Sequence, residues 1–229
     1  MSKLAIVRAK SDDVTEIMVY DVIGADFWGD GITAKDFREQ VKAVKTKNIN
    51  LRLNSPGGSV TEGAAMLNAL DQFKGRIDVD VDGMAASAAS VLMMAGDTVR
   101  VASNGLVMIH NPWAGVLGTA DDMRRTADLL DKVRDQILDS YLRKSSLTRE
   151  ELGAMMDAET WMTGQEAVDA GFADEVSGPV TVAACAIPDG FQFKNLPKDK
   201  LDAMKPTGPT PEQKAAHAAR RARLAALAR

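Results

Sequence analysis

Five times along this chain a Ser or Thr stands three residues before an Asp or Glu where an apolar-periodic run begins: Thr33 with Asp36, Ser59 with Glu62, Thr119 with Asp122, Thr148 with Glu151 and Thr163 with Glu166. A hydroxyl in that place accepts from the unpaired N–H groups of a first helical turn, and the carboxylate reaches back to the cap residue, so each pair marks a helix start. Between the marks, Ile49, Leu51 and Leu53 alternate as in a half-buried strand, and so do Val79 and Val81. Residues 99–102 and 106–109 are short apolar runs of strand length. Helix starts alternating with short strands imply an α/β chain.

The longest periodic run covers residues 120–144, with Met123, Ala127, Leu130, Val133, Ile137 and Tyr141 at steps of three or four. About 25 helical residues span roughly 38 Å, long for a domain of this size, so this helix either crosses the whole domain or projects and packs against another subunit. With 229 residues, 45% of them hydrophobic, the chain can bury one sizeable core. One domain is expected over residues 1–187. Prolines at 188, 197, 206, 209 and 211 mark a linker over 188–211, and the Ala- and Arg-rich residues 212–229 form a tail able to become a helix. The tail sets Lys214, Arg220, Arg221, Arg223 and Arg229 against Glu212, a net +4, which leaves −8 on residues 1–211 out of the overall −4. An acidic body argues against nucleic acid at the core, leaving the tail to meet acidic partners.

No apolar run approaches the roughly 18 residues of a membrane span, and residues 1–10 carry no signal-peptide core, so a cytoplasmic protein is expected. The single cysteine, Cys185, has no partner for an internal disulfide or a metal site, in keeping with a reducing compartment. No metal and no cofactor are called for.

Two small-residue turns and one histidine carry the chemistry. Asn54-Ser55-Pro56-Gly57-Gly58 follows the strand at 49–53 and precedes the helix capped by Ser59. Two glycines there let backbone amides approach a developing oxyanion. The second turn, Asp82-Gly83-Met84-Ala85-Ala86-Ser87-Ala88-Ala89-Ser90, holds Ser87 in a sterically open place between a strand and an apolar helix. That is the logic of a nucleophile elbow without its usual glycines. The same residues also suit close helix packing, with Ser87 and Ser90 bonded back to carbonyls. A Ser nucleophile needs a base that titrates near neutrality. Of the two histidines, His217 lies in the tail, which leaves His110 at the end of the run 106–109.

The first of these turns, then residues 83–89, then Val107-Met108-Ile109-His110-Asn111-Pro112 resemble, in order and spacing, the signature segments of the Clp protease proteolytic subunit, ClpP. The resemblance runs from about residue 15 to residue 177; residues 159–168 and 171–174 are similar to the end of that domain in its phage-type, prohead-protease-like branch. It implies a ClpP/crotonase-type spiral of repeated strand-strand-helix units with residues 120–144 as a handle. It also implies a serine endopeptidase with Ser87 as nucleophile, His110 as base, and the amides of Gly58 and Ala88 as oxyanion hole. The third member departs from the family pattern: Glu159 stands where the family has Asp, and Asp157 is the nearest substitute. Implied partners are polypeptide substrates, further copies in a homo-oligomeric ring, and an ATP-dependent unfoldase or phage capsid and scaffold proteins. The chain has no Walker loop of its own. Three other readings stay open: a Ser–Lys peptidase, which His110 argues against; a crotonase-like acyl-CoA enzyme, which needs no Ser nucleophile; and a non-catalytic assembly protein of this fold.

Overall fold

A computed structural model describes residues 6–24, 31–181, 187 and 193–197. Cys185, His217, the basic tail and most of the Pro-rich stretch lie outside the described residues. All five hydroxyl–carboxylate pairs are helix caps. Thr33 opens α1 (Ala34–Ala43) and Ser59 opens α2 (Val60–Asp71). Thr119, Thr148 and Thr163 close full capping boxes on α4 (Ala120–Tyr141), α5 (Arg149–Asp157) and α6 (Gly164–Asp169). The remaining helix, α3 (Ala88–Leu92), starts directly after Ser87 with no side-chain cap, and a 3-10 turn, Met93–Ala95, extends it.

The strands are β1 (Ile6–Ser11), β2 (Val14–Val19), β3 (Asn48–Ser55), β4 (Arg76–Ala86), β5 (Thr98–Ala102), β6 (Leu106–Ile109), β7 (Thr160–Thr163) and β8 (Glu175–Ser177). They form one sheet in the order β1-β2-β3-β4-β5-β8, parallel from β2 onward. The architecture is the mixed α/β fold expected of ClpP, strand and helix units stacked on a common core.

One departure from a plain sheet builds the site. Strand β4 has 11 residues and changes partners along its length. Asp78 to Val81 pair with β5, whereas Met84 to Ala86 pair with β6, which in turn pairs antiparallel with β7. Asp82 marks the fork. Its carboxylate is almost wholly buried, receives Arg52 Nε at 2.7 Å and a second guanidinium N–H from the same residue, and accepts the Tyr20 hydroxyl. Burial and the neighbouring Asp82 charge drive the Tyr20 phenol far above its ordinary range, so it serves as a neutral donor.

Helix α4 ends at Tyr141, not near residue 144, and its apolar stripe is divided. Ile137, Leu138 and Tyr141 are buried in this chain's own core, because the last turns pack on α3, while Met123 and Leu129 are exposed. Ile137 and Tyr141 therefore do not wait for a second subunit. Only the N-terminal half of the handle projects, continuing an apolar surface from Trp113 and Leu117 in the loop before it. No helix among the described residues is long and apolar enough to cross a membrane.

Candidate active site

Strand register brings the candidate residues together. Ser55 on β3 aligns with Ala85 on β4, so the Pro56-Gly57-Gly58 turn emerges beside Ser87. Ala86 on β4 aligns in parallel with Met108 on β6, so both strands deliver their next residues to the same edge. The Ser87 N–H donates to Met108 O at 2.9 Å, and His110 Nε2 lies 2.8 Å from Ser87 Oγ. On the other side of β6, Ile109 pairs with Thr160 of the antiparallel β7, so Glu159 immediately precedes β7 at the end where His110 immediately follows β6. Residues scattered over 100 positions of sequence thus converge at one strand edge.

Ser87 has φ 54° and ψ −125°, a conformation L residues rarely adopt, and it has it between alanines. Backbone strain of this kind costs on the order of 1–3 kcal/mol and persists where the surroundings over-determine it. Here β4 holds one side of the turn and Gly57 the other. A Cβ on Gly57, itself at φ 91°, would stand 2.5 Å from Ala86 O and 2.7 Å from Ser87 Cβ. Ser90 does what a packing serine would do: its buried Oγ donates to Ser87 O at 2.6 Å and therefore accepts the Tyr141 hydroxyl at 2.8 Å. Ser87 instead turns its hydroxyl to the histidine.

The two turns spend several of their amides internally. The Gly57 N–H goes to Ser55 Oγ at 3.1 Å and its carbonyl accepts the Ile23 N–H at 2.8 Å; the Ser59 N–H goes to Ile23 O at 2.9 Å. Ser87 and Ser90 spend their N–H groups on Met108 O and Ser87 O. The Ile23 bridge does not use the Gly58 N–H, since its bonds run from the Ile23 N–H to Gly57 O and from the Ser59 N–H to Ile23 O. Ala88, like Ala89, opens α3, where a first-turn N–H has no intrahelical acceptor. Gly58 has to be glycine, because at φ 146° a Cβ there would meet Ile23 O at 2.1 Å.

Burial pushes the His110 imidazole below its ordinary value; the Glu159 charge opposes this and the Lys194 ammonium adds to it. The free base is therefore the dominant form at neutral pH. Glu159 is buried and occupies φ 50° immediately after the Ala158 C-cap of α5, where glycine is the usual residue. Its carboxylate accepts from Trp161 Nε1 at 3.3 Å and from the backbone N–H groups of Lys194 at 2.9 Å and Asn195 at 2.7 Å. Among the described residues no hydrogen bond joins Glu159 to His110, although the Glu159 charge favours the protonated imidazole. Asp157 points elsewhere, accepting from Asn111 Nδ2 at 2.7 Å and Arg134 Nη2 at 3.1 Å, while Arg134 Nε donates to Asn111 Oδ1 at 2.9 Å. The Asn111 hydrogen bond, with Arg134 beside it, holds the Asp157 carboxyl below its ordinary value.

This brace from the residue after His110 to α4 and α5 had no signal in the sequence beyond three polar residues far apart. The same holds for residues 193–195, which lie inside a stretch that reads as linker. Beside Ser87, a cleft between α2, α3 and α4 is walled by Val60, Val91, Val133, Ile137 and Tyr141.

Residues 33–179 match the family model for Clp protease. This chain belongs to the Clp protease family. It is 31% identical over 183 residues to the ATP-dependent Clp protease proteolytic subunit of Bacteroides fragilis, an overlap of 75% of this chain and 88% of that one. The proteolytic subunit of Bacteroides thetaiotaomicron is likewise 31% identical over 183 residues, covering 75% of this chain and 83% of the relative. Proteolytic subunit 1 of Leifsonia xyli is 33% identical over 132 residues, 57% of this chain and 67% of the relative. As a family member the chain is a serine-type endopeptidase, which sets aside the crotonase-like and purely structural readings.

Proposed function

We propose that the chain hydrolyses peptide bonds by a Ser–His mechanism with Ser87 as nucleophile and His110 as general base, Glu159 supplying the negative charge behind the imidazole. The observation that carries this reading is the 2.8 Å contact of His110 Nε2 with a Ser87 hydroxyl held at positive φ. In the first half-reaction Ser87 Oγ attacks the scissile carbonyl carbon while its proton passes to His110 Nε2. The carbonyl oxygen becomes an oxyanion between the Gly58 and Ala88 amides. The tetrahedral adduct collapses, the C–N bond breaks, and His110 returns the proton to the departing amine. Water then repeats the sequence on the acyl-enzyme. Each amide is expected to contribute about 3–4 kcal/mol, as one oxyanion-hole donor does elsewhere. The apolar cleft beside Ser87 suits a substrate residue with an aliphatic or aromatic side chain.

Assembly belongs to the same proposal. Trp113, Leu117, Met123 and Leu129 are large, apolar and exposed along the projecting half of α4 and the loop before it, and a second copy of the chain is the occupant that fits a family of protease subunits. The relatives' names describe subunits of an ATP-dependent protease, and an unfoldase partner is proposed here on that ground. A prohead-maturation role, with capsid or scaffold precursors as substrates, is proposed on the likeness of residues 159–174 to the phage-type branch.

Labelling with a fluorophosphonate followed by peptide mapping tests the chemistry: Ser87 is expected to carry the adduct, and an adduct at Ser90 or none at all would refute the assignment. Sedimentation tests assembly, with Leu129→Asp expected to dissociate the oligomer; a monomeric, active parent chain would end that part of the reading.

A further inference from the structure

Residues 193–195 lie well outside the matched family region, yet they dock beside the base. The Phe193 ring stands edge-on to Trp161 with centroids 5.4 Å apart and to His110 at 6.2 Å. It packs with Met84, Ala86 and Met108, the residues of β4 and β6 that deliver Ser87 and His110. The next two residues turn their amides onto the Glu159 carboxylate, and Asn195 Nδ2 donates to Ala158 O at 2.7 Å. Phe193 also walls the groove shared by Gly58, Ser87 and His110.

We propose that residues 193–195 form a self-docked strap that withholds the Glu159 carboxylate from His110 Nδ1 and so holds this peptidase in a slow state. The proposal rests on the reading of Ser87 and His110 given above.

Two backbone N–H donors and an indole N–H already share the carboxylate, while His110 follows β6 at the end where Glu159 precedes β7, close enough for that charge to act on the ring. Proton transfer from Ser87 creates an imidazolium, which a carboxylate on Nδ1 stabilises. With the strap in place that stabilisation is confined to charge acting without a hydrogen bond, and Lys194, carried in by the strap, works against it. The groups acting on the ring are Glu159, Lys194 and the Ser87 hydroxyl; Arg134 and Asp157 are tied to each other and to Asn111. When the strap leaves, Glu159 loses two donors and the facing Nδ1–H can replace them.

The test uses full-length chains. Asn195→Pro deletes one amide donor and the side-chain anchor, and Phe193→Ala removes the aromatic anchor. Each is expected to raise kcat/KM on a fluorogenic peptide about 10-fold, with native assembly and circular dichroism. Adding Glu159→Gln to Asn195→Pro should cancel the gain, and a synthetic heptapeptide with the sequence of residues 191–197 should slow Asn195→Pro in trans. The His110 pKa, read by NMR, is expected to rise in Asn195→Pro, since burial and Lys194 recede while Glu159 approaches. An unchanged or lower His110 pKa, or equal or lower kcat/KM in both strap variants, would overturn the strap. Absence of fluorophosphonate labelling at Ser87 in every variant would sink the catalytic assignment instead, while the NMR titration still judges the strap.

Discussion

The turn that holds Ser87 and the turn that holds Glu159 are alike in backbone and opposite in support. Each places a non-glycine residue at positive φ, at 54° and 50°, beside an end of β6 or its neighbour. The Ser87 turn is enclosed by this chain's core: Ala85, Ala86, Ala88 and Ala89 are buried, and β4, Gly57 and the Tyr141–Ser90 pair hold it from three sides. The Glu159 turn ends a short helix, and its carboxylate is held mainly by residues 35 and 36 positions downstream. The Ser87–His110 geometry, the proposed nucleophile and base, is thus built into the sheet, whereas the position of Glu159 depends on a contact from outside the family domain.

The first way to break that contrast is Ser87→Ala. It should lower kcat by on the order of 10⁶ if the residues act as a unit, and by the same factor in the Phe193→Ala background, because the nucleophile's support does not pass through the strap. A background-dependent loss would couple the two turns. Next in size is Gly57→Ala, whose new methyl must displace Ala86 O or Ser87. A misplacement of about 1 Å should reduce kcat by roughly 10² or more, and fluorophosphonate labelling rates would register it without steady-state assays.

Arg52→Met probes the fork. It leaves the Asp82 carboxylate buried without its cation, and about 3–5 kcal/mol of stability should be lost. Chemical denaturation measures this, and an unchanged midpoint would remove Asp82 from the account of why β4 changes partners. Ser90→Ala is milder. It strands the buried Tyr141 hydroxyl and removes a hydrogen bond to Ser87 O, at a cost of about 1–3 kcal/mol, yet labelling of Ser87 should persist.

The smallest expected effect is on pH. The base must be neutral to accept the Ser87 proton, so kcat/KM falls as pH drops through the His110 pKa of the free enzyme. Burial holds that pKa below the ordinary histidine value, so the acid limb should lie at lower pH than for an unperturbed imidazole. Releasing the strap should move the limb back toward neutrality, which separates the two turns in a single titration.

Much of this molecule was legible in residue order. Helix starts are local, since a hydroxyl three residues before a carboxylate satisfies first-turn amides wherever it occurs, and all five became caps. Ser87 and His110 were candidates because small-residue turns and a single body histidine leave few alternatives, whereas the roles proposed for the Gly58 and Ala88 amides came with the family resemblance. Glu159 was named from its position relative to the family pattern, and sequence could say nothing of its donors. The division of the α4 stripe was equally hidden, because period 3.6 marks an apolar face without telling whether the face meets its own domain or another subunit.

What the sequence determined by itself is therefore everything set within about one helical turn or one strand: caps, strand periodicity, glycines at positive φ, and the residue types able to do acyl transfer. What only the tertiary structure decided is long-range. The partner change along β4, the Asn111–Asp157–Arg134 brace and the docking of residues 193–195 each join groups dozens of positions apart. Their free energy depends on strand register and on mutual burial, and neither has a local pattern to leave in the chain.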